Sequence, residues 1–236
     1  MGSIYLIRHG QASFGADDYD VLSPVGIRQS EVLGEHLAQL GVRLDRCLAG
    51  DLRRQQDTAR LALTAMQQAG IEVPPVETDA AFNEFDADAM IRSLLPGLVP
   101  EEPEARHILR NGRENRSEFQ RLFALLVQRW HGGEHACDGC ESWQTFVERV
   151  DSGLQRALQQ ARHGDNIAIF TSGGTITALL HLVTRITASQ AFTLNWQIIN
   201  TSLSHLKFRD REVALASFNS QAHVQLLKVP ELITYR

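Results

Sequence analysis

YLIRHGQASFG, residues 5–15, is the stretch on which the fold turns. An apolar run ends in an arginine and a histidine, and the chain beyond them is polar and carries glycine. Such a run suits a buried strand over Ser3–Ile7, which places Arg8 and His9 at its carboxyl end. The next segment reads as a helix. Ser23 is placed to cap it, Pro24 takes the first helical position, and Val32, Leu33, Leu37 and Leu40 form a stripe ended by Gly41. Strand, loop and helix then recur. RCLAG (46–50) suits a short strand, Arg53 to Gln68 a helix with Leu61, Ala62, Ala65 and Ala69 on one side, and Val76 the centre of a third extended segment.

The pattern returns late in the chain. Trp143 to Gln160 carries Phe146, Val147, Val150, Leu154 and Leu158 at helical spacing, and NIAIFTSGGTITALLHLV (166–183) reads as strand, glycine turn and helix. NTSLSHLKF (200–208) and VALASFN (213–219) suggest a hairpin turning at Asp210 and Arg211. Between these halves Pro96, Pro100 and Pro103 break the chain, and RHILRNGRENR (106–116) is basic and interrupted by Gly112. Residues 85–140 are expected to form a mostly helical insertion over the site, with Glu118 to Trp130 its clearest helix. The expected architecture is α/β: one domain over residues 1–236, a three-layer α/β/α sandwich with a mainly parallel sheet.

Composition narrows the function classes. The 236 residues are 43% hydrophobic and 22% charged, ordinary globular values. No segment approaches the roughly 18 consecutive apolar residues of a membrane span, so no membrane partner is expected. The start of the chain lacks a basic region, a long apolar region and a cleavage site, and is read as cytoplasmic. A net charge of −5 argues against nucleic acid as a partner, because phosphate backbones are held by basic patches. Three cysteines make a disulfide framework unexpected. His131, His135, Cys137 and Cys140 fall within ten residues, but their spacing is not that of a zinc finger; a loop with free thiols and no metal is expected.

Three polar clusters share one address. RHGQAS follows the first strand, GDLRRQQDT the second and TSGGT the late one, and parallel sheets bind ligands beyond their carboxyl ends. Two clusters offer arginines; the third feeds a helix amino end whose free N–H groups favour an anion. The expected ligand is a phosphoryl group.

With these motifs the chain resembles the histidine phosphatase superfamily, the phosphoglycerate mutase-like fold, over nearly its whole length. LIRHG matches the signature in which the histidine becomes phosphorylated, which implies His9 as nucleophile and Arg8 as a phosphate clamp. DLRRQQDTA resembles the family's second motif, with Leu52, Arg54 and Thr58 in register and Arg54 as second clamp. FNEFD resembles the segment supplying the proton donor, which implies Glu84. CESWQTFVERV resembles the family's Gly-Glu-Ser segment, with Cys140 for the glycine, then Glu141, Ser142 and Arg149. The catalytic set is therefore His9, Glu84, Arg8 and Arg54, with Gly10, Gln11, Ser172, Gly173 and Gly174 binding substrate and no cofactor.

The residue types suit the chemistry. A neutral imidazole attacks phosphorus in line, arginines spread over the equatorial oxygens, and a carboxylic acid protonates the leaving alkoxide. Glu84 needs a raised pKa for that role, which burial against Phe82 and Phe85 would supply. Its other reading is a carboxylate at a helix amino end. One departure stands out: where most of the family has a second histidine, this chain has Ser172. Loss of one preorganised donor costs about 100- to 1,000-fold in turnover, and His181 or His205 is a candidate to compensate. Restoring a histidine at 172 is expected to raise turnover if the rest of the site is intact.

The expected function is a phosphomonoester hydrolase acting through a phosphohistidine on a small phosphorylated metabolite. A mutase and a low-activity phosphoryl-ligand binder are the alternatives. Arg106, Arg110 and Arg113 sit at helical spacing, as a solvated face or as contacts to a second anionic group.

Overall fold

The computed structural model describes residues 1–13, 20–110, 116–133 and 137–235. Gly112, Arg113 and His135 lie outside them. The chain divides into two compact units, Met1–Glu84 with Val150–Arg236, and Phe85–Arg149.

The first unit is built on a six-stranded sheet of order β3-β2-β4-β1-β5-β6. Its strands are β1 (Gly2–Arg8), β2 (Arg46–Ala49), β3 (Val76–Thr78), β4 (Asn166–Thr171), β5 (Leu203–Arg209) and β6 (Glu212–Ser220). β1 to β4 run parallel, while β5 is antiparallel to both β1 and β6. Side chains alternate across a strand, so Ile7, Cys47, Ala49, Ala168 and Phe170 fall in one buried cluster with Leu33, Leu37, Ala59, Ala62 and Met66. Those last five come from α1 (Pro24–Gln39) and α2 (Arg53–Gln68), which cover that face. Ile4, Leu6, Ile167 and Ile169 point the other way and are also fully buried. Apolar side chains on both faces are what a parallel sheet covered on both sides requires.

Close packing of the cover layer depends on glycine. A Cβ on Gly34 of α1 would overlap the carbonyl oxygen of Ala62 in α2, so a larger residue would force the helices apart. On the opposite cover, α7 (Gly173–Thr184) lies against β1 and β6. Ser23 caps α1 by accepting from the Gly26 N–H at 3.1 Å, as its position before Pro24 suggests. The hairpin joins β5 to β6 through Asp210, whose φ of 56° is the left-handed conformation tight turns use.

The second unit holds α3 (Ala87–Leu98), α4 (Ala105–Arg110), α5 (Arg116–Gly132) and the start of α6 (Trp143–Gln160). Its aromatic centre sets Phe85 4.5 Å from Trp130, and Trp130 5.5 Å from Trp143, ring centre to ring centre. Pro96, expected to break the chain, instead lies inside α3. It stands in the last turn, so α3 forgoes the hydrogen bond that an N–H at 96 would donate to Arg92 O, and the helix ends two residues on. Cys137 and Cys140, expected as free thiols, form a disulfide in a tight turn with Cα atoms 5.5 Å apart; Cys47 is free and buried.

One helix of the first unit escaped the periodicity reading. α8 (Ala188–Asn195) starts with a capping box in which Thr187 accepts from the Gln190 N–H and Gln190 reaches back to the Thr187 N–H. A final short helix, α9 (Ala222–Leu226), precedes the C-terminal segment. Among the described residues no helix is long and apolar enough to cross a membrane.

Candidate active site

β1, β2 and β4 end side by side, and the residues after them meet at that edge. His9 follows β1 with its N–H donating to Thr171 O at 2.8 Å, the last residue of β4. The residue is 3% exposed. Nδ1 lies 2.7 Å from Gly10 O, which can only accept, so Nδ1 carries the proton. Nε2 then holds the lone pair, and Arg54 Nε donates to it at 3.3 Å. Burial, then the charges of Arg54 and Arg8, hold the His9 pKa well below 6.5. The imidazole is neutral at pH 7, with its nucleophilic nitrogen turned toward a guanidinium.

Arg54 stands in the first turn of α2. Its Nη1 donates to Asp20 Oδ1 at 2.6 Å, and the Arg53 and Arg54 N–H groups donate to the same carboxylate at 2.8 and 3.3 Å. Asp20 therefore caps α2 and holds the guanidinium at once. Thr58, one turn on, donates to Arg54 O at 2.7 Å and accepts from the Gly10 N–H at 2.9 Å, tying the arginine helix to the histidine loop. Arg8 closes β1; its Nη1 donates to Ile198 O and, at 2.9 Å, to Tyr235 O.

The loop after His9 packs tightly against α1. A Cβ on Gly10 would meet Gly26 O at 2.5 Å, and one on Gly26 would overlap Gln11 O. The Gln11 N–H donates to Gln29 Oε1 at 2.8 Å, and its own Oε1 accepts from Ser23 Oγ at 2.8 Å. The expected substrate contact Gln11 thus has its side-chain oxygen engaged at the cap of α1.

The third cluster opens α7. Ser172 is fully buried and its Oγ accepts from Gln55 Nε2 at 2.8 Å, so this hydroxyl is tied to α2. Gly173 approaches Arg8 closely enough that a Cβ there would lie 3.8 Å from Arg8 Nε. The Gly174 N–H donates to Glu84 Oε2 at 2.9 Å. Glu84 is half-buried, and its carboxylate meets the amino end of α7. Neither histidine offered as a replacement at 172 reaches this edge. His181 sits in the last turn of α7, about 13 Å of helix away, with Nδ1 2.6 Å from Ile186 O. His205 lies in β5, stacked on Tyr5 at 4.8 Å.

In the second unit Arg149 donates to both oxygens of Glu141 at 2.8 Å, and Ser142 Oγ accepts from the Thr145 N–H at the start of α6. These resemblance-bearing residues brace a helix start. Among the described residues no group of three or more His, Cys, Asp or Glu side chains is placed to hold a metal ion.

Several supporting residues carry no sequence signal. Asn200 Nδ2 donates to His9 O at 3.0 Å, while Thr234 Oγ1 donates to Asn200 Oδ1 at 2.9 Å. The Thr201 N–H reaches both Arg8 O (3.0 Å) and His9 O (3.4 Å) from a left-handed backbone, φ 61°, which a β-branched residue rarely adopts. Thr201 Oγ1 donates to Asn200 O at 2.7 Å, leaving His223 Nε2 to donate to Thr201 Oγ1 at 3.0 Å. A strained residue, held by a buried histidine, thus backs the candidate nucleophile.

Comparison with known proteins agrees with this fold. Residues 4–221 match the profile of the histidine phosphatase superfamily (branch 1), and the chain belongs to that family. The 2,3-bisphosphoglycerate-dependent phosphoglycerate mutase of Allorhizobium ampelinum is 25% identical over 202 residues, covering 82% of this chain and 85% of that one. The adenosylcobalamin/alpha-ribazole phosphatase of Escherichia coli is 25% identical over 184 residues, 75% of this chain and 76% of its own. Phosphoserine phosphatase of Entamoeba histolytica, solved in complex with 3-phosphoglyceric acid, superposes with a TM-score of 0.64 at 18% identity, covering 95% of this chain and all of that one. This last likeness speaks to the fold. Mutases and phosphatases thus share this architecture.

Proposed function

We propose that the protein is a phosphomonoester hydrolase that works through a phosphohistidine at His9 on a small phosphorylated metabolite. The observation that carries the reading is the state of His9: buried, neutral, protonated at Nδ1, with Nε2 facing Arg54. In this mechanism Nε2 attacks phosphorus and the ester P–O bond breaks as the alkoxide leaves with a proton from Glu84. Arg54 moves its N–H from Nε2 to a phosphoryl oxygen as the nitrogen's lone pair forms the new bond. Arg8 and the amino end of α7 at Gly173 hold the remaining oxygens. Water, losing a proton to Glu84, then hydrolyses the phosphohistidine. Ser172 takes the place of the family's second histidine in this scheme, which makes turnover slow.

The curated mutase relative favours a second reading, phosphoryl transfer between positions of one sugar acid. The two differ in the fate of the phosphohistidine. Both take a small phosphorylated ligand. The experiment is hydrolysis of p-nitrophenyl phosphate and a panel of phosphate esters by wild type and His9→Ala without added metal. Phosphate release that vanishes in the variant supports the hydrolase. Activity seen only on phosphoglycerate, and only with 2,3-bisphosphoglycerate present, supports the mutase. No turnover, with vanadate still raising the melting temperature, leaves a binding protein.

A further inference from the structure

The second unit contains a cavity of about 370 Å³ between α3 and α4, lined by Asp88, Ile91, Arg92, Leu95, Arg106, Leu109 and Arg110 with Pro96. The α3 residues fall at positions i, i+3, i+4 and i+7, and those of α4 at i, i+3 and i+4, so two helix faces oppose each other across it. Isoleucine and leucines give it an apolar floor, and three guanidiniums stand at its rim against one carboxylate.

The charges set these arginines apart from others in the unit. Arg121, Arg129 and Arg149 each pair with a glutamate, at Glu102 and Glu118, at Glu101, and at Glu141. Arg92, Arg106 and Arg110 make no hydrogen bond or ion pair within the described structure, and all three line this cavity. Arg106 and Arg110 are also four residues apart on one short helix, where like charges repel. A local excess of two positive charges over an apolar floor is stabilised by an anion that has an apolar body.

We propose that this cavity binds a small organic anion, a phosphonate, phosphate ester or carboxylate carrying a short alkyl or aryl arm. Arg92, Arg106 and Arg110 take the anionic head; Ile91, Leu95 and Leu109 take the arm. The site is independent of the reading of His9.

The test is calorimetric titration of the full chain with hexylphosphonate, which is not hydrolysed, against methylphosphonate, which has the head without the arm. Hexylphosphonate is expected to bind about tenfold tighter than methylphosphonate, and about tenfold more weakly to Arg106→Gln/Arg110→Gln. Asp88→Asn removes the opposing charge and is expected to tighten binding, a gain that loss of folding cannot imitate. Arg54→Ala, which removes a clamp of the proposed phosphoryl site, is expected to leave this binding in place. Affinity unchanged in the double variant, absent in Arg54→Ala, or equal for the two phosphonates overturns the proposal.

Discussion

Replacing His223 with glutamine is expected to flatten the acid sensitivity of the fold. His223 is buried in α9 against Thr201, and its ring lies 5.8 Å from that of His36. Burial, then the His36 charge, pushes its pKa from 6.5 to about 4. Between those values the unfolded chain binds more protons than the folded one, so stability rises with pH. The contribution is complete above pH 6.5 and is lost as pH falls toward 4. At pH 5 the unfolded histidine is almost wholly charged and the folded one almost wholly neutral, a cost of about 2 kcal/mol relative to pH 8. Glutamine keeps an N–H for Thr201 Oγ1 and carries no titration. Urea unfolding of both proteins at pH 8, 6.5 and 5 isolates the effect, because His9 contributes equally to each. Wild type is expected to lose about 2 kcal/mol more than His223→Gln between pH 8 and 5. Parallel pH profiles would refute the buried neutral histidine behind Thr201.

Four further outcomes follow from the site. Gly26→Ala forces a methyl onto Gln11 O and is expected to cost about 1–3 kcal/mol by urea unfolding; wild-type stability would contradict the close packing. Asp20→Ala removes the cap of α2 and the Arg54 anchor, with about 1 kcal/mol of stability lost and kcat/KM reduced, while Asp20→Asn is expected to recover stability more than rate. Ser172→His is now expected to lower turnover, reversing the sequence expectation, because a ring must displace Gln55 from a fully buried contact; a faster enzyme would show that room exists. The acid limb of kcat/KM due to His9 is expected below pH 6.5, since the folded histidine is held neutral. A His9-dependent limb at or above 6.5 would contradict that.

The elements legible in the sequence are those whose burial repeats. α2 and α6 fall on the residues their apolar spacing marks, and β1 was one residue short at each end. The limits of the second unit were harder, because prolines report backbone restriction and not the tertiary contacts that let α3 run through Pro96. α8 had its signal in Thr187 and Gln190, a capping box in place of a periodic stripe. In the site, His9, Arg8 and Arg54 were visible because each closes or follows a strand or opens a helix. Asp20, Gln55, Asn200, Thr201 and His223 were not. Their roles exist only through partners distant in sequence, 191 residues in the case of Asn200 and His9, and no local pattern records such a pairing.

The central claim is covalent, and trapping the intermediate tests it most directly. Wild type mixed with an active phosphate ester, quenched in alkali and digested, is expected to yield phosphate on the peptide containing His9, alkali-stable and acid-labile. His9→Ala is expected to yield none. Turnover without a phosphorylated peptide, or phosphate on another side chain, would contradict His9 as the nucleophile.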